Sequence, residues 1–149
     1  MDSASVIVYG YGNPGRQDDG LGPAMIERIE EAAIPHVKTR CNFQLNVEDA
    51  YTIAEGRAVI FVDASVDGDE PYSFYEIKPS AEIRFTTHSM APESVLALCN
   101  DLFNGDRKAF MLSIRGYEWE FAEGLSPEAR RNLDRAYAFL KGKLNEFFQ

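Results

Sequence analysis

Asp19, Asp63 and His88 are the residues of this sequence whose types and positions could support chemistry together. Each follows a predicted β-strand or a short extended segment. In a mostly parallel sheet the carboxyl ends of the strands share one edge, so these side chains could converge on a single rim, although the spacing alone leaves this open. Two carboxylates and an imidazole suit a divalent transition metal such as nickel, zinc, copper or iron. Such a set leaves open coordination positions for a substrate or a water.

Each of the three residues also has a simpler explanation that requires no chemistry. Asp19 could cap the helix that follows it, since aspartate is common before helices. Asp63 could begin a turn, and His88 could be a surface histidine with satisfied hydrogen bonds. The other histidine, His36, lies at a predicted helix-to-strand turn, and we assign it a structural role. The combination of the three is harder to explain by folding alone than any one of them.

A glycine-rich loop carries the first of these carboxylates. The run Val6–Tyr9 is β-branched and aromatic, which predicts a buried strand, and three glycines within the next six residues break that strand. The adjacent carboxylates Asp18 and Asp19 follow, and Pro23 suits the first turn of the next helix. An acidic pair at the mouth of a central strand is not needed for folding, which makes this loop the candidate centre of the molecule.

Strands and helices alternate along the remaining chain. Short apolar or alternating runs predict strands, and apolar residues at helical spacing predict helices. Asn46 and Ser126 are predicted helix caps, and Leu102 is among the residues expected on the inner side of the third helix. The further predicted strands are 36–45, 58–62, 72–78, 82–86 and 109–114, and the predicted helices are 23–33, 47–55, 92–103 and 125–148.

This alternation predicts an α/β fold. We expect a three-layer αβα sandwich around a mostly parallel, twisted sheet of about five strands. No linker, repeat or low-complexity segment interrupts the pattern, and 149 residues suit one domain with a core of its own. The expected domain therefore covers residues 1–149.

The composition is that of a globular protein with an acidic surface. The formal net charge is −9 and the pI is near 4.7, which argues against nucleic acid or an anionic membrane as partner, since both require a basic face. No apolar run approaches the roughly 20 residues of a membrane span, and the first residues lack a signal-peptide pattern. We expect a cytoplasmic protein, and the small size and acidic surface favour a monomer.

The two cysteines do not indicate a disulfide framework or a zinc site. Cys41 and Cys99 lie far apart in the sequence and outside any C-x-x-C pair, so both are predicted to be buried thiols. Cys99 falls in the middle of a predicted helix, and Ser89 lacks a third partner, so no nucleophile with an adjacent base is evident.

Two other motifs compete for the same loop. The residues 10–15 match the G-x-G-x-x-G fingerprint of dinucleotide binding. The carboxylates that follow would repel a pyrophosphate, and the acid expected about 20 residues further on is missing. A phosphoacceptor receiver domain also has an acid pair, an aspartate ending its third strand and a hydroxyl such as that of Thr86 or Thr87. It further requires a lysine where this sequence has Arg115, so it remains a less favoured alternative.

Four separated motifs resemble those of the hydrogenase maturation endopeptidases, which process the large subunit of nickel–iron hydrogenases. The opening motif carries most of the likeness, and the other three follow in the same order across nearly the whole chain. In this sequence they are Gly10-x-Gly12-Asn13 with Asp18-Asp19-Gly20-x-Gly22, then Val62-Asp63-Ala64, then Thr87-His88-Ser89, and last Gly124-Leu125-Ser126-Pro127-Glu128.

The resemblance implies a catalytic and metal-contacting set of Asp19, Asp63 and His88. It also implies a supporting role for Asp18, together with Gly12, Asn13 and Gly20 of the same motif. The implied activity is removal of a C-terminal extension from the large-subunit precursor after nickel insertion, with the nickel supplied by the substrate or replaced by another divalent metal. Residues 40–46 depart from the glycine-rich turn seen in many members of the family. A non-catalytic module that escorts the precursor remains an alternative.

Overall fold

The computed structural model describes residues 5–80, 85–86 and 89–147, with side chains for 5–80 and 90–147. Strands and helices alternate through most of this length, as predicted. The elements are β1 (Val6–Tyr11), a 3₁₀-helix (Gln17–Gly20), α1 (Leu21–Ala32), β2 (Val37–Asn42), α2 (Asp49–Ile53), β3 (Ala58–Ser65), β4 (Tyr72–Ile77), β5 (Phe85–Thr86), β6 (Ser89–Met90), α3 (Pro92–Leu102), β7 (Lys108–Arg115) and α4 (Pro127–Phe147).

Five strands form the central sheet in the order β2-β1-β3-β7-β4, and β5 pairs with β6 in a separate two-stranded sheet. The strands β2, β1, β3 and β7 run parallel, whereas β4 pairs antiparallel with β7 at the edge. From β1 the chain passes to β2 on one side and then returns to β3 on the other. In open α/β sheets, ligands bind outside the carboxyl ends of the strands at such a switch point.

Side chains alternate between the two faces of the central strands, and each face has its own core. Val8 and Ile60 belong to the cluster that packs with α1 and α4, whereas Tyr9 and Phe61 belong to the cluster that packs with α2 and α3. The predicted α/β fold with a mostly parallel sheet of five strands between layers of helices is therefore confirmed. Among the described residues, no helix combines the length and apolar character needed to cross a membrane.

The glycines at positions 10 and 22 allow β1 and α1 to approach closely. A Cβ atom on Gly10 would lie 2.5 Å from the carbonyl oxygen of Gly22, and one on Gly22 would lie 2.5 Å from that of Tyr11. Larger residues would push the helix off the strand, because side-chain atoms do not tolerate such distances. These two motif glycines therefore serve packing between helix and strand.

The helix ends follow the sequence predictions in part. Ser126 caps α4 as predicted, since its Oγ accepts a hydrogen bond from the Ala129 backbone N–H at 3.2 Å. The predicted cap Asn46 is wrong: the residue before α2 is Glu48, which makes no side-chain cap bond. Asn46 contributes its backbone instead of its side chain: its N–H donates a hydrogen bond to the Asp49 carboxylate at 2.7 Å.

Two predictions of burial also need correction. Leu102 is 51% exposed, because the buried side of α3 is formed by Ser94, Val95, Leu96 and Cys99. Cys41 is exposed, because it lies near the end of β2 at the edge of the sheet. Only the prediction of a buried thiol at Cys99 is confirmed.

Candidate active site

Asp19 lies in the 3₁₀-helix that connects the glycine loop to α1. Its Oδ2 accepts a hydrogen bond from the Asn13 backbone N–H at 2.8 Å, so the carboxylate is held against the loop. The residue that precedes α1 is Gly20, and no side chain caps that helix. The interpretation of Asp19 as a helix cap is therefore wrong, and its half-buried carboxylate lies beyond the carboxyl end of β1.

The sequence predicted Asp63 just beyond the end of its strand. In the structure it lies inside β3. The strand continues to Ser65, because Asp63 still pairs with Ser113 of β7 in the parallel register. The Oδ1 of Asp63 accepts a hydrogen bond from the Ala64 backbone N–H at 2.8 Å. An aspartate inside a strand does not begin a turn, so the alternative in which Asp63 is a turn residue is also wrong.

The carboxylates of Asp19 and Asp63 lie close enough to interact. The pKa of Asp63 is raised to about 7, chiefly by burial and in part by the charge of Asp19, against the lowering effects of the Ala64 backbone hydrogen bond and the Tyr11 hydroxyl. A carboxyl group with a pKa near neutrality, close to a second carboxyl group, is typical of functional sites. The structure thus brings together two of the three predicted residues.

His88 lies outside the described residues, as does the neighbouring Thr87. Its convergence with the two carboxylates remains a prediction. Among the residues whose positions are described, no three histidine, cysteine, aspartate or glutamate side chains are arranged to hold a metal ion.

Three residues that the sequence analysis did not identify, two tyrosines and a glutamate, lie around Asp63. Tyr11 at the end of β1 lies beside Asp63 and near Tyr75 of β4 and Glu93 in the first turn of α3. Burial, followed by the charges of Glu93 and Asp63, raises the pKa of Tyr75. The sequence signal for Tyr11 is that it continues the alternation of Tyr9 two residues beyond it, just before the glycine loop.

Asp18 is fully buried and ties the glycine loop to the segment 117–126. Its Oδ2 accepts hydrogen bonds from the backbone N–H groups of Tyr117 and Glu118, and both of its oxygens accept bonds from Ser126, at distances of 2.7 to 3.0 Å. Burial raises the pKa of Asp18, but these hydrogen bonds outweigh it and lower the pKa below its ordinary value. The supporting role expected for Asp18 thus has a structural basis.

Gly12 fixes the position of Asp19, and its replacement by alanine should disrupt the site. Its φ is +142°, and a Cβ atom there would lie 2.0 Å from the Asp19 backbone oxygen. We expect Gly12→Ala to lower the melting temperature by several degrees, because the loop must shift to relieve both the strain and the clash. Thermal unfolding followed by circular dichroism measures the change.

Gly142 of α4 provides the matched control, since no atom lies within 4 Å of a Cβ built there. Gly142→Ala should stabilise the protein by about 0.5–1 kcal/mol, because alanine favours the helix. A melting temperature of Gly12→Ala equal to that of the wild type would contradict the proposed close approach.

Comparison with known proteins gives matches among solved structures only. Neither a family model nor a curated protein sequence matches the chain. The hydrogenase maturation protease HycI from Thermococcus kodakarensis superposes with a TM-score of 0.71 at 22% identity, covering 94% of this chain and 92% of its own. The maturating endopeptidase HybD from E. coli superposes with a TM-score of 0.71 at 18% identity, covering 95% of this chain and 93% of its own. A hydrogenase 2 maturation peptidase from a Thaumarchaeota archaeon superposes with a TM-score of 0.68 at 18% identity, covering 94% of this chain and 97% of its own.

The chain has the fold of the hydrogenase maturation proteases. The resemblance inferred from the four motifs is confirmed at this level, since the likeness extends over nearly the whole of each chain. The maturation-protease fold also separates this chain from the receiver alternative. Flavodoxin-like receivers have the strand order 2-1-3-4-5, whereas here β7 pairs with β3 and the earlier β4 lies antiparallel outside it.

Proposed function

We propose that the chain is an endopeptidase that removes a C-terminal extension from the nickel-loaded large-subunit precursor of a nickel–iron hydrogenase. The observation that carries this proposal is the pair of interacting carboxylates, Asp19 and Asp63, at the switch point of a maturation-protease fold. Such a pair is suited to bind a divalent metal that the substrate brings with it.

In the proposed reaction, Asp19, Asp63 and His88 occupy open coordination positions of the nickel held by the precursor. Nickel bound in this way acts as a Lewis acid on the scissile carbonyl or on a water. In the protein alone Asp63 has a pKa of about 7, so a protonated Asp63 must lose its proton when it binds the nickel. A precursor without nickel cannot engage the three side chains, so processing follows only after the metal has been inserted.

The cysteines of the chain support a metal- or carboxylate-assisted reaction over nucleophilic catalysis. Cys99 is buried inside the fold. Cys41 is exposed overall, but partial desolvation of its thiol and the charges of Glu30 and Glu27 raise its pKa. A thiol with a raised pKa is a poor nucleophile, because the thiolate is the reactive form.

Space for a peptide lies next to the loop that holds Asp19. A cavity of about 330 Å³ adjoins Pro14 and Gly20 of this loop. A second cavity, of about 270 Å³, includes Gly12 and shares Pro14 with the first. Both cavities therefore adjoin the glycine loop that precedes Asp19.

The experiment that tests the proposal is intact-mass spectrometry of the large subunit after incubation with this protein. We expect the nickel-loaded precursor to lose one C-terminal peptide and the nickel-free precursor to remain intact. An unchanged mass of the loaded precursor, with the two proteins migrating together, would instead indicate an escort module.

The two histidines provide a matched pair of variants. His88→Asn should leave the loaded precursor uncleaved, because one donor to the nickel is lost, with a decrease of at least about 100-fold in rate. His36→Asn should process normally, since His36 lies in an exposed turn with a φ of +65° that asparagine also adopts. Equal processing rates for both variants would remove His88 from the proposed site.

A further inference from the structure

We propose that Tyr11 is a positioning residue that orients the Asp63 carboxylate for the reaction. This inference rests on the proposed peptidase function and adds a residue to it. The family motif leaves the position between its two glycines unspecified, so the role of Tyr11 follows from the structure of this chain alone.

The register of the sheet places Tyr11 beside Asp63. Gly10 of β1 pairs with Val62 of β3, so the next residue of each strand lies at the same level. Side chains alternate along both strands, and Tyr9 and Phe61 belong to the core on the α2 and α3 side. Tyr11 and Asp63, two residues further on, therefore project from the same face of neighbouring strands.

The ring of Tyr11 is fixed by aromatic contacts at the end of the core. Its centroid lies 6.4 Å from that of Tyr9 and 6.4 Å from that of Phe61, both in edge-on geometry. Tyr9 is 2% exposed and Phe61 is fully buried. Because both neighbours are packed in the core, the ring of Tyr11 is held at the end of the sheet.

Two groups then act on the carboxylate of Asp63. The Ala64 backbone N–H donates to its Oδ1 at 2.8 Å. The Tyr11 hydroxyl lies on the same face beside this carboxylate, where it is placed to donate to it and favours its charged form. A donor fixed in this way limits rotation of the carboxylate and directs it toward the reacting group. Loss of such outer partners typically reduces activity about 10- to 100-fold.

Tyr11→Phe tests the proposal, and Tyr9→Phe is the matched control on the same strand. Tyr11→Phe keeps the ring contacts and removes only the hydroxyl. It should lower kcat for precursor cleavage about 10- to 100-fold with KM and melting temperature unchanged. The Tyr9 hydroxyl instead donates to buried Asp49 at 2.7 Å. Tyr9→Phe should lower the melting temperature by several degrees and leave kcat unchanged, because it removes a buried hydrogen bond remote from the site.

A second measurement tests the contact between Tyr11 and Asp63 without any substrate. The carboxyl ¹³C resonance of Asp63 at fixed pH should shift in Tyr11→Phe and stay unchanged in Tyr9→Phe. An unchanged kcat in an active Tyr11→Phe enzyme, or an unchanged Asp63 resonance, would overturn the positioning role. Absence of cleavage by the wild type would overturn the proposed function, and the resonance would then still decide whether Tyr11 holds Asp63.

Discussion

Replacing Asp63 with asparagine is expected to abolish processing of the precursor and to raise the stability of the protein at alkaline pH. The amide keeps the size of the side chain but cannot supply a charged oxygen to a metal or accept a proton. We expect a decrease in cleavage of about 1,000-fold or more, since a metal-assisted step depends on several kcal/mol of such interactions. Single-turnover cleavage of the nickel-loaded precursor measures this decrease.

The gain in stability follows from the direction of the Asp63 pKa shift. Burial raises the pKa from 3.8 to about 7, so the folded state binds this proton more tightly than the unfolded state does. The resulting stabilisation is fully present below pH 3.8 and is lost as the pH rises through about 7. At pH 8 the wild type therefore carries an unfavourable buried charge that Asp63→Asn removes. Melting temperatures at pH 5 and pH 8 should show a larger gain at pH 8.

Asp67, four residues along the chain and exposed, provides the control. Asp67→Asn should change neither cleavage nor the melting temperature, because its side chain is exposed. Cleavage by Asp63→Asn at the wild-type rate would show that the pair of carboxylates does not act in the reaction.

Replacing Asp18 with alanine is expected to destabilise the protein by about 3–5 kcal/mol. The variant removes a buried carboxylate that accepts four hydrogen bonds from three residues, Tyr117, Glu118 and Ser126. Donors left buried without a partner cost about 1–3 kcal/mol each unless water reaches them. Since a domain is typically stable by about 5–15 kcal/mol, urea unfolding should show a large decrease in the midpoint.

Asp134 provides the matched control for this variant. It forms an ion pair with Arg28, and its side chain is 59% exposed. Asp134→Ala should cost less than about 1 kcal/mol, as exposed ion pairs usually do. Equal losses in Asp18→Ala and Asp134→Ala would contradict the anchoring role of Asp18.

The pH dependence of stability gives a second signature of Asp18. Its pKa is lowered in the folded state, so its contribution is present above the ordinary value of 3.8 and is lost as the pH falls through the folded-state pKa. The difference in stability between the wild type and Asp18→Ala should therefore narrow in acid. This is opposite in sign to the behaviour expected for Asp63.

The sequence was sufficient to predict the layers of the fold and the placement of Asp19 and Asp63 near each other at one edge of the sheet. The apolar runs of β1 and β3 and the helical spacing of α1 and α4 are strong local signals, so the parallel core followed from them. Asp19 and Asp63 were found because carboxyl ends of parallel strands meet at one edge. The same reasoning placed Asp63 beyond its strand, since the apolar run ends at Val62 while the backbone pairing continues to Ser65.

The contacts that the sequence could not predict join residues far apart in the chain. Asp18 bonds to Ser126 across 108 positions, and no local pattern indicates that pairing. Tyr11 reaches Asp63 only because β1 and β3 pair in one particular register, in which Gly10 lies opposite Val62. The antiparallel direction of β4 likewise depends on how its connections cross the sheet.

The most direct test of the proposed site is a crystal structure of the protein soaked with Ni²⁺, with the metal located by anomalous scattering. We predict a single peak bound by the carboxylates of Asp19 and Asp63 and by the imidazole of His88, at bond lengths near about 2.0–2.2 Å. An imidazole of His88 more than about 10 Å from both carboxylates, too far to share one ion, would contradict the proposed site.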